Sequence, residues 1–458
     1  MKVSSFSGVH YNMCMKLNSL WRKSVSAGLL LCAWILGSAP FLLAQQPDAP
    51  VLTLDAAIDY AKQHSPLLAA TQQSVLSKQA AIAAASAEWL PRVDVGAALR
   101  GSNQPTESAL GFPLTPLADI GNQPFRNGHL TGLATVTQSI YTGGKIGAAT
   151  RVAEAERHLA QANVHDVESN LQYEIAVTYA QLVELDRDVL AAQESVNALT
   201  ESRRISNQML SVGKIARVDL LKIDTRLADV RAKLIELTTG RQILAGQLNA
   251  LMGRSVDTPV AVETSLPHPQ ITISADQVVL AAATRNTQYQ IANAQVKIAQ
   301  NSLELAKSQL RPTLSFSARL FEQSPDPFSV YRGGAIAGFS FNYPLFDRPL
   351  NHRVQEAKSL ELEYRSKANQ ARLDATQRAR TAYLKMQGAE ARIQSTQSSI
   401  ADARETLRIE QEKQNYGRET IEHLLDAQAA LLTSEANYYR AFADDTIAMA
   451  ALKRETGQ

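Results

Sequence analysis

Two stretches, Tyr141 to Gly213 and Phe346 to Gly417, constrain what this chain can fold into more than any other feature. Each opens on a short turn, QSIYTGGK or YPLFDRPL, and then runs for about 70 residues with no further proline and almost no glycine. In the first, Val164, Val167, Leu171, Ile175, Leu182, Leu185 and Val189 follow three- and four-residue steps that only Thr178 interrupts. In the second, Ile393, Ile400 and Leu407 step by seven. Such spacing predicts an apolar seam on a long helix. At about 1.5 Å per residue each helix is a rod of roughly 105 Å, whereas globular helices average about three turns. The chain therefore reads as one mainly α body rather than two or three ordinary domains.

The rest of the sequence reads as a duplication. Thr53 is placed to cap a helix, Ser65-Pro66 interrupts it, and a second helix runs to Trp89 before Pro91 stops it. Ser274, with Gln277 three residues on, repeats the cap as a capping box. A break follows near Asn286 and a stop at Pro312. Thr53 precedes Ser274, and Pro91 precedes Pro312, by 221 residues. Tyr141 precedes Phe346 by 205, and Gly213 precedes Gly417, like Gly253 and Gly457, by 204. Spacing held this closely predicts two structural repeats, 45–253 and 274–458, joined by a linker at 254–273.

Each repeat also carries a β-hairpin, at about 92–141 and 313–345. Val93, Val95, Ala97 and Leu99 alternate with less apolar neighbours, as do Leu314, Phe316, Ala318 and Leu320. The return strands, about Leu130 to Ile140 and Ala335 to Tyr343, alternate less cleanly. All four are near ten residues, the length that crosses a bilayer when tilted. Polar loops at 101–128 and 324–333 separate them. Trp89, Tyr141, Tyr343 and Phe346 cluster at the strand–helix junctions, where an aromatic interface belt would meet membrane lipid. Four strands cannot close a barrel, and open edges cannot persist in lipid. Two copies would give eight strands, too narrow for a pore, while three give a twelve-stranded barrel with room for one.

Residues 1–44 read as a signal peptide: Lys16, Arg22 and Lys23 precede an uncharged run, and Ala44 closes it. Both cysteines, Cys14 and Cys32, fall inside it, so the remainder has no disulfide or thiolate metal site. Removing it takes four of the 46 lysines and arginines and none of the 44 acids, leaving 42 against 44 and a net charge of −2. No basic face for nucleic acid is implied. His158 and His165, seven apart, read as solvated-face residues rather than metal ligands. No P-loop, dinucleotide glycine pattern, HExxH or GxSxG is present, and no catalytic residue, cofactor or metal site is assigned.

The sequence resembles the TolC-like outer-membrane efflux proteins. The resemblance rests on TLDAAIDYAKQHSP, the LP and RP helix stops, the QSIYTGG and YPLFDRP turns, and the VGKIARVDLL and YGRETIEHLL tips. It implies a homotrimer whose twelve-stranded outer-membrane barrel continues into a periplasmic α-helical tunnel. It also implies docking to a periplasmic adaptor (membrane fusion protein) and an inner-membrane pump. The adaptor-docking tips would be Val212, Gly213, Lys214, Ile215 and Ala216, with Tyr416, Gly417, Arg418, Glu419 and Thr420. Family members place acids six and nine residues after the second-repeat glycine; here these are His423 and Asp426, with Asp219 and Lys222 at the first-repeat positions. The departure implies a pH-sensitive tunnel entrance. The rival from another class is a periplasmic coiled-coil scaffold or chaperone without a pore, which needs neither the alternating strands nor the junction aromatics.

Overall fold

The computed structural model describes residues 51–100, 129–263, 273–324, 332–415 and 421–458. The expected leader, the 101–128 loop, most of the second loop and residues 264–272 of the linker lie outside the described residues. In chain order the elements are α1 (Leu54–His64), α2 (Pro66–Ala87), β1 (Arg92–Arg100), β2 (His129–Tyr141), α3 (Lys145–Ser211) and α4 (Arg217–Met252). They continue with α5 (Ala275–Arg285), α6 (Thr287–Ser308), β3 (Thr313–Ser324), β4 (Arg332–Asn342), α7 (Arg348–Asn415) and α8 (Ile421–Thr456). The described residues are mostly helical, with one antiparallel sheet among them in the order β1-β2-β3-β4.

The long helices α3 and α7 contain 67 and 68 residues, about 100 Å each. Along α3 the seam is buried at Leu171, Ile175 and Leu182. Thr178, the one polar step, is buried too, and its hydroxyl donates to the Glu174 carbonyl at 2.9 Å. The seam thus continues with its polar group satisfied one turn back. Entry into α3 uses Gly143 and Gly144, at φ 63° and 89°. Gly143 lies against Arg311 and the carbonyls of Ser308 and Pro312, and Arg311 Nη1 donates to its oxygen at 3.2 Å. Entry into α7 uses Asp347, whose Oδ1 accepts from the Leu350 amide at 3.1 Å. Pro349 falls in the first turn, where its missing N–H has no intrahelical partner to lose.

Glycine ends α3, α4 and α8 by one device. The amide of Gly213 donates to Leu210 and that of Lys214 to Met209; Gly253 and Arg254 donate to Ala250 and Asn249, and Gly457 and Gln458 to Arg454 and Lys453. This is the Schellman pattern, with each glycine left-handed at φ 71°, 75° and 69°. The short helices carry the expected caps. Thr53 Oγ1 accepts from Ala56 at 3.2 Å, and Ser274 and Gln277 close a reciprocal box.

Helix α3 packs against α4 as a hairpin and against α1, α2, α6 and α8; helix α7 pairs with α8 and packs on α5 and α6. Helix α4 ends beside the α1–α2 joint, where Gly253 meets the His64 carbonyl. Helix α8 ends beside the α5–α6 joint, where Gly457 meets the Arg285 carbonyl. Each half-length helix therefore stops where a short helix hands over to the next, as the helix lengths required. The central core joins α1, α3 and α4 through Ala57, Ala61, Ile175, Tyr179, Leu182, Leu248 and Met252. Tyr179 donates to the Leu52 carbonyl at 2.8 Å and accepts from the Glu263 amide at 3.2 Å, fastening a parallel bridge between Leu52 and Val262.

Candidate functional site

Two regions gather the residues singled out in the sequence, and the sheet is the first. Its register puts Val93, Val95 and Ala97 of β1 beside Val136, Ala134 and Gly132 of β2. The same face continues through Leu314, Phe316, Ala318 and Leu320, then Phe341, Phe339, Ala337 and Ala335. Gln138 and Glu322 interrupt it near its two ends. The opposite face carries Arg92, Asp94, Thr135, Thr137, Ser315, Ser317, Arg319, Ser340 and Asn342, with Leu133, Phe321 and Ile336 as its apolar members. Pairing resolves the weak alternation of the return strands: small residues dilute the pattern along β2 and β4, but their neighbours restore it across the sheet. Val95 is 82% exposed, Phe339 71% and Phe341 69%. Among the described residues nothing covers this apolar face.

The expected 324–333 loop is shorter than the sequence reading gave, because β3 runs to Ser324 and β4 starts at Arg332. Gly333, inside the expected loop, and Gly334 just beyond it both fall in β4. In the sheet Gly334 pairs with Phe321, whose ring lies against it where a side chain would stand. The four junction aromatics sit at the helix end of the sheet: Trp89, Tyr141, Tyr343 and Phe346 are all exposed, with Leu90 and Leu345 beside them. Gln138 Nε2 donates to the Trp89 carbonyl at 2.6 Å, tying the α2–β1 turn to β2.

The second region is the far end of the helices. Val212, Gly213, Lys214 and Ala216 are exposed and Ile215 is half-buried. Space around Gly213 is open, so its positive φ alone selects glycine there. Tyr416, Gly417, Arg418, Glu419 and Thr420 lie outside the described residues. Of the entrance candidates, Asp219 turns back to accept from the Ala216 amide at 3.3 Å, serving the N-terminus of α4. Lys222, His423 and Asp426 are exposed. Helices α4 and α8 meet at Ile223, Ile421 and Leu424, with Leu407 of α7 packed beside them. That contact brings Lys222 to Glu422 at 3.2 Å. Glu422 is a partner that sequence reasoning missed, since 200 residues separate the pair and no local signal links them.

Midway along α3 an acidic group faces α8. Burial, then the neighbouring Asp188 carboxylate, pushes Glu184 up to about 7; Asp444 adds to the rise and Arg440 opposes it. Asp188 is itself raised by burial, with Lys233 opposing. Arg392 of α7 holds Asp444 at 2.7 Å, and Arg241 of α4 pairs with Asp186.

A family model described as outer membrane efflux protein matches residues 57–254 and again 278–458, once per repeat. Among curated proteins, the cobalt-zinc-cadmium resistance protein CzcC of Cupriavidus metallidurans is 26% identical over 251 residues, 51% of this chain and 56% of that protein. The chain thus spans little more than half the length of this curated relative. Among solved structures, the outer membrane protein VceC from Vibrio cholerae superposes with a TM-score of 0.71 at 20% identity, covering 88% of this chain and 96% of that one. The CmeC outer membrane channel of Campylobacter jejuni gives 0.77 at 14% identity over 88% and 85%. The duplicated helical fold, the four-stranded sheet and a family match that repeats in register with both place this chain in the outer membrane efflux protein family.

Proposed function

We propose that the chain is the outer-membrane duct of a tripartite efflux or type I secretion system, exported through a cleaved signal peptide. Three copies close their sheets into a twelve-stranded barrel, and their helices wall a periplasmic tunnel. The carrying observation is the sheet: four strands with one apolar face, one polar face and two edges that, like the apolar face, have no partner among the described residues, joined directly to helices of about 100 Å. Apolar residues toward lipid and polar residues toward water are what a barrel wall requires, and the unpaired edges need neighbouring copies. Trp89, Tyr141, Tyr343 and Phe346 then stand at the periplasmic lipid interface.

The tips at 212–216 and 416–420 are the docking points for a periplasmic adaptor that couples the duct to an inner-membrane pump. Asp219, Lys222, His423 and Asp426 line the entrance, Lys222 in partnership with Glu422. The pump supplies the energy; the duct supplies an aqueous path.

The test is purification of the processed chain in detergent, followed by sizing and planar-bilayer recording. A trimer whose migration changes on heating, and which conducts, is expected. A freely soluble monomer without conductance would replace the duct with the pore-free scaffold. Lys222→Gln and His423→Asp, each making the entrance more acidic, should move the reversal potential toward cation preference. Unchanged potentials would remove these residues from the entrance.

A further inference from the structure

The two repeats build their mid-helix joints differently, and the difference leaves a charged recess in one of them. Where α8 ends against the α5–α6 joint, Glu455 is 3% exposed. Its Oε2 accepts from Asn286 Nδ2 at 2.9 Å and from Arg378 Nε at 3.1 Å. Its Oε1 accepts from Arg454 Nη2 at 2.8 Å. Arg454 also lies over the ring of Tyr173, 4.3 Å from its centroid. Beside this network α3, α7 and α8 border an open recess of about 390 Å³, lined by Tyr173, Asp374, Arg378, Thr381, Lys385, Arg454 and Glu455 among others.

Those lining residues include three cations and two carboxylates, so the recess is cationic by one charge. Asp374 is already engaged by Gln370 at 2.7 Å. Glu455 takes the Nε edge of Arg378, which orients the rest of a five-donor guanidinium fork. Lys385 stands two turns further along α7 and is exposed. Tyr383 packs with the α5 cluster. At about 100° per residue Thr381 and Lys385 project from the other side of α7, so the recess opens away from α5.

The fold does not demand these charges. At the 204-residue offset the first repeat has Glu174, Val177, Gln181, Ala250 and Leu251 where the second has Arg378, Thr381, Lys385, Arg454 and Glu455. Yet it forms the same glycine-closed joint, with Gly253 against His64 as Gly457 is against Arg285. The first repeat thus closes its joint without these three cations, and the second carries them on a concave surface beyond that need. Its size falls in the range of small-molecule pockets, and pre-oriented guanidinium groups favour planar anions.

We infer that this recess binds a small organic or inorganic anion bearing carboxylate or phosphate groups, with Arg378, Arg454 and Lys385 as donors and Tyr173 as platform. The inference concerns binding alone and stands whether or not the trimer conducts. The test is calorimetric titration of citrate and of inorganic phosphate into the detergent-solubilised mature chain, with ionic strength fixed by sodium chloride. Wild type should bind at least one of the two saturably. Lys385→Gln should weaken that binding about tenfold, and Lys385→Glu should abolish it. Lys385 makes no part of the Glu455 network, so both variants should retain wild-type helicity by circular dichroism. Absence of saturable binding by both anions, or equal binding by wild type and Lys385→Glu, overturns the assignment.

Discussion

Gly253 faces the carbonyl oxygen of His64 so closely that a β-carbon would stand 2.6 Å from it. Gly213 has nearly the same left-handed backbone, φ 71° against 75°, but nothing within 4 Å. The pair separates two reasons for glycine. Gly213→Ala should cost about 1 kcal/mol, the conformational penalty alone. Gly253→Ala adds overlap with a fixed backbone oxygen and should cost about 3 kcal/mol. Denaturant melts of the two variants decide; equal losses would remove the close approach from the account.

Glu184 gives the helical body a pH dependence with a definite sign. Its carboxyl is raised to about 7, first by burial and then by Asp188, so the folded state holds the proton more tightly than the unfolded chain. Its contribution to stability is complete below pH 4.5 and declines as the pH rises toward and past 7. Glu184→Gln should therefore stabilise the protein at pH 8 by about 1 kcal/mol, a figure discounted for partial solvation, and should change little at pH 4. Melting curves at the two pH values check this. A variant that loses stability at pH 8 would show that the charged carboxylate is held favourably after all.

Lys222 and Glu422 join the two hairpins near their tips, but both are well exposed, at 45% and 67%. Exposed pairs contribute little. A double-mutant cycle with Lys222→Ala and Glu422→Ala should return a coupling below about 1 kcal/mol that fades at high salt. A coupling several times larger, or one indifferent to salt, would mean the tips are held by more than this contact.

The two sheet faces should differ sharply in tolerance. Val95→Arg puts a charge on the apolar face and should cost about 2–4 kcal/mol if it reaches the bilayer midplane. Ser317→Arg, on the polar face, should assemble like the parent. The fraction of heat-modifiable oligomer in isolated membranes reads both. Equal assembly by the two variants would contradict the assignment of lipid and water to these faces.

The rods, the glycine ends at Gly213, Gly253 and Gly457 and the interrupted short helices were legible in the sequence because each is a local effect. A period of three and four, a proline or a left-handed glycine acts on its own segment. The duplication was legible for a related reason, since Gly253 and Gly457 end their helices identically. What could not be read depends on distant pairing. The faces of β2 and β4 emerge only when Val136 meets Ala318 and Ala337 lies beyond. Lys222 gains Glu422 only because Ile223 packs on Ile421 and Leu424. Glu455 reads as an ordinary charge near a helix end, and only the fold sinks it between Arg378, Arg454 and Asn286.

In the proposed duct, the bare rims of β1 and β4 fix the order of events in assembly. A solitary subunit cannot enter hydrocarbon, because a row of amides and carbonyls on each rim would lose water without gaining a partner. Insertion and oligomer closure are then a single concerted step whose rate rises more steeply than linearly with subunit concentration. At low expression the chain should accumulate outside the bilayer rather than half-inserted in it.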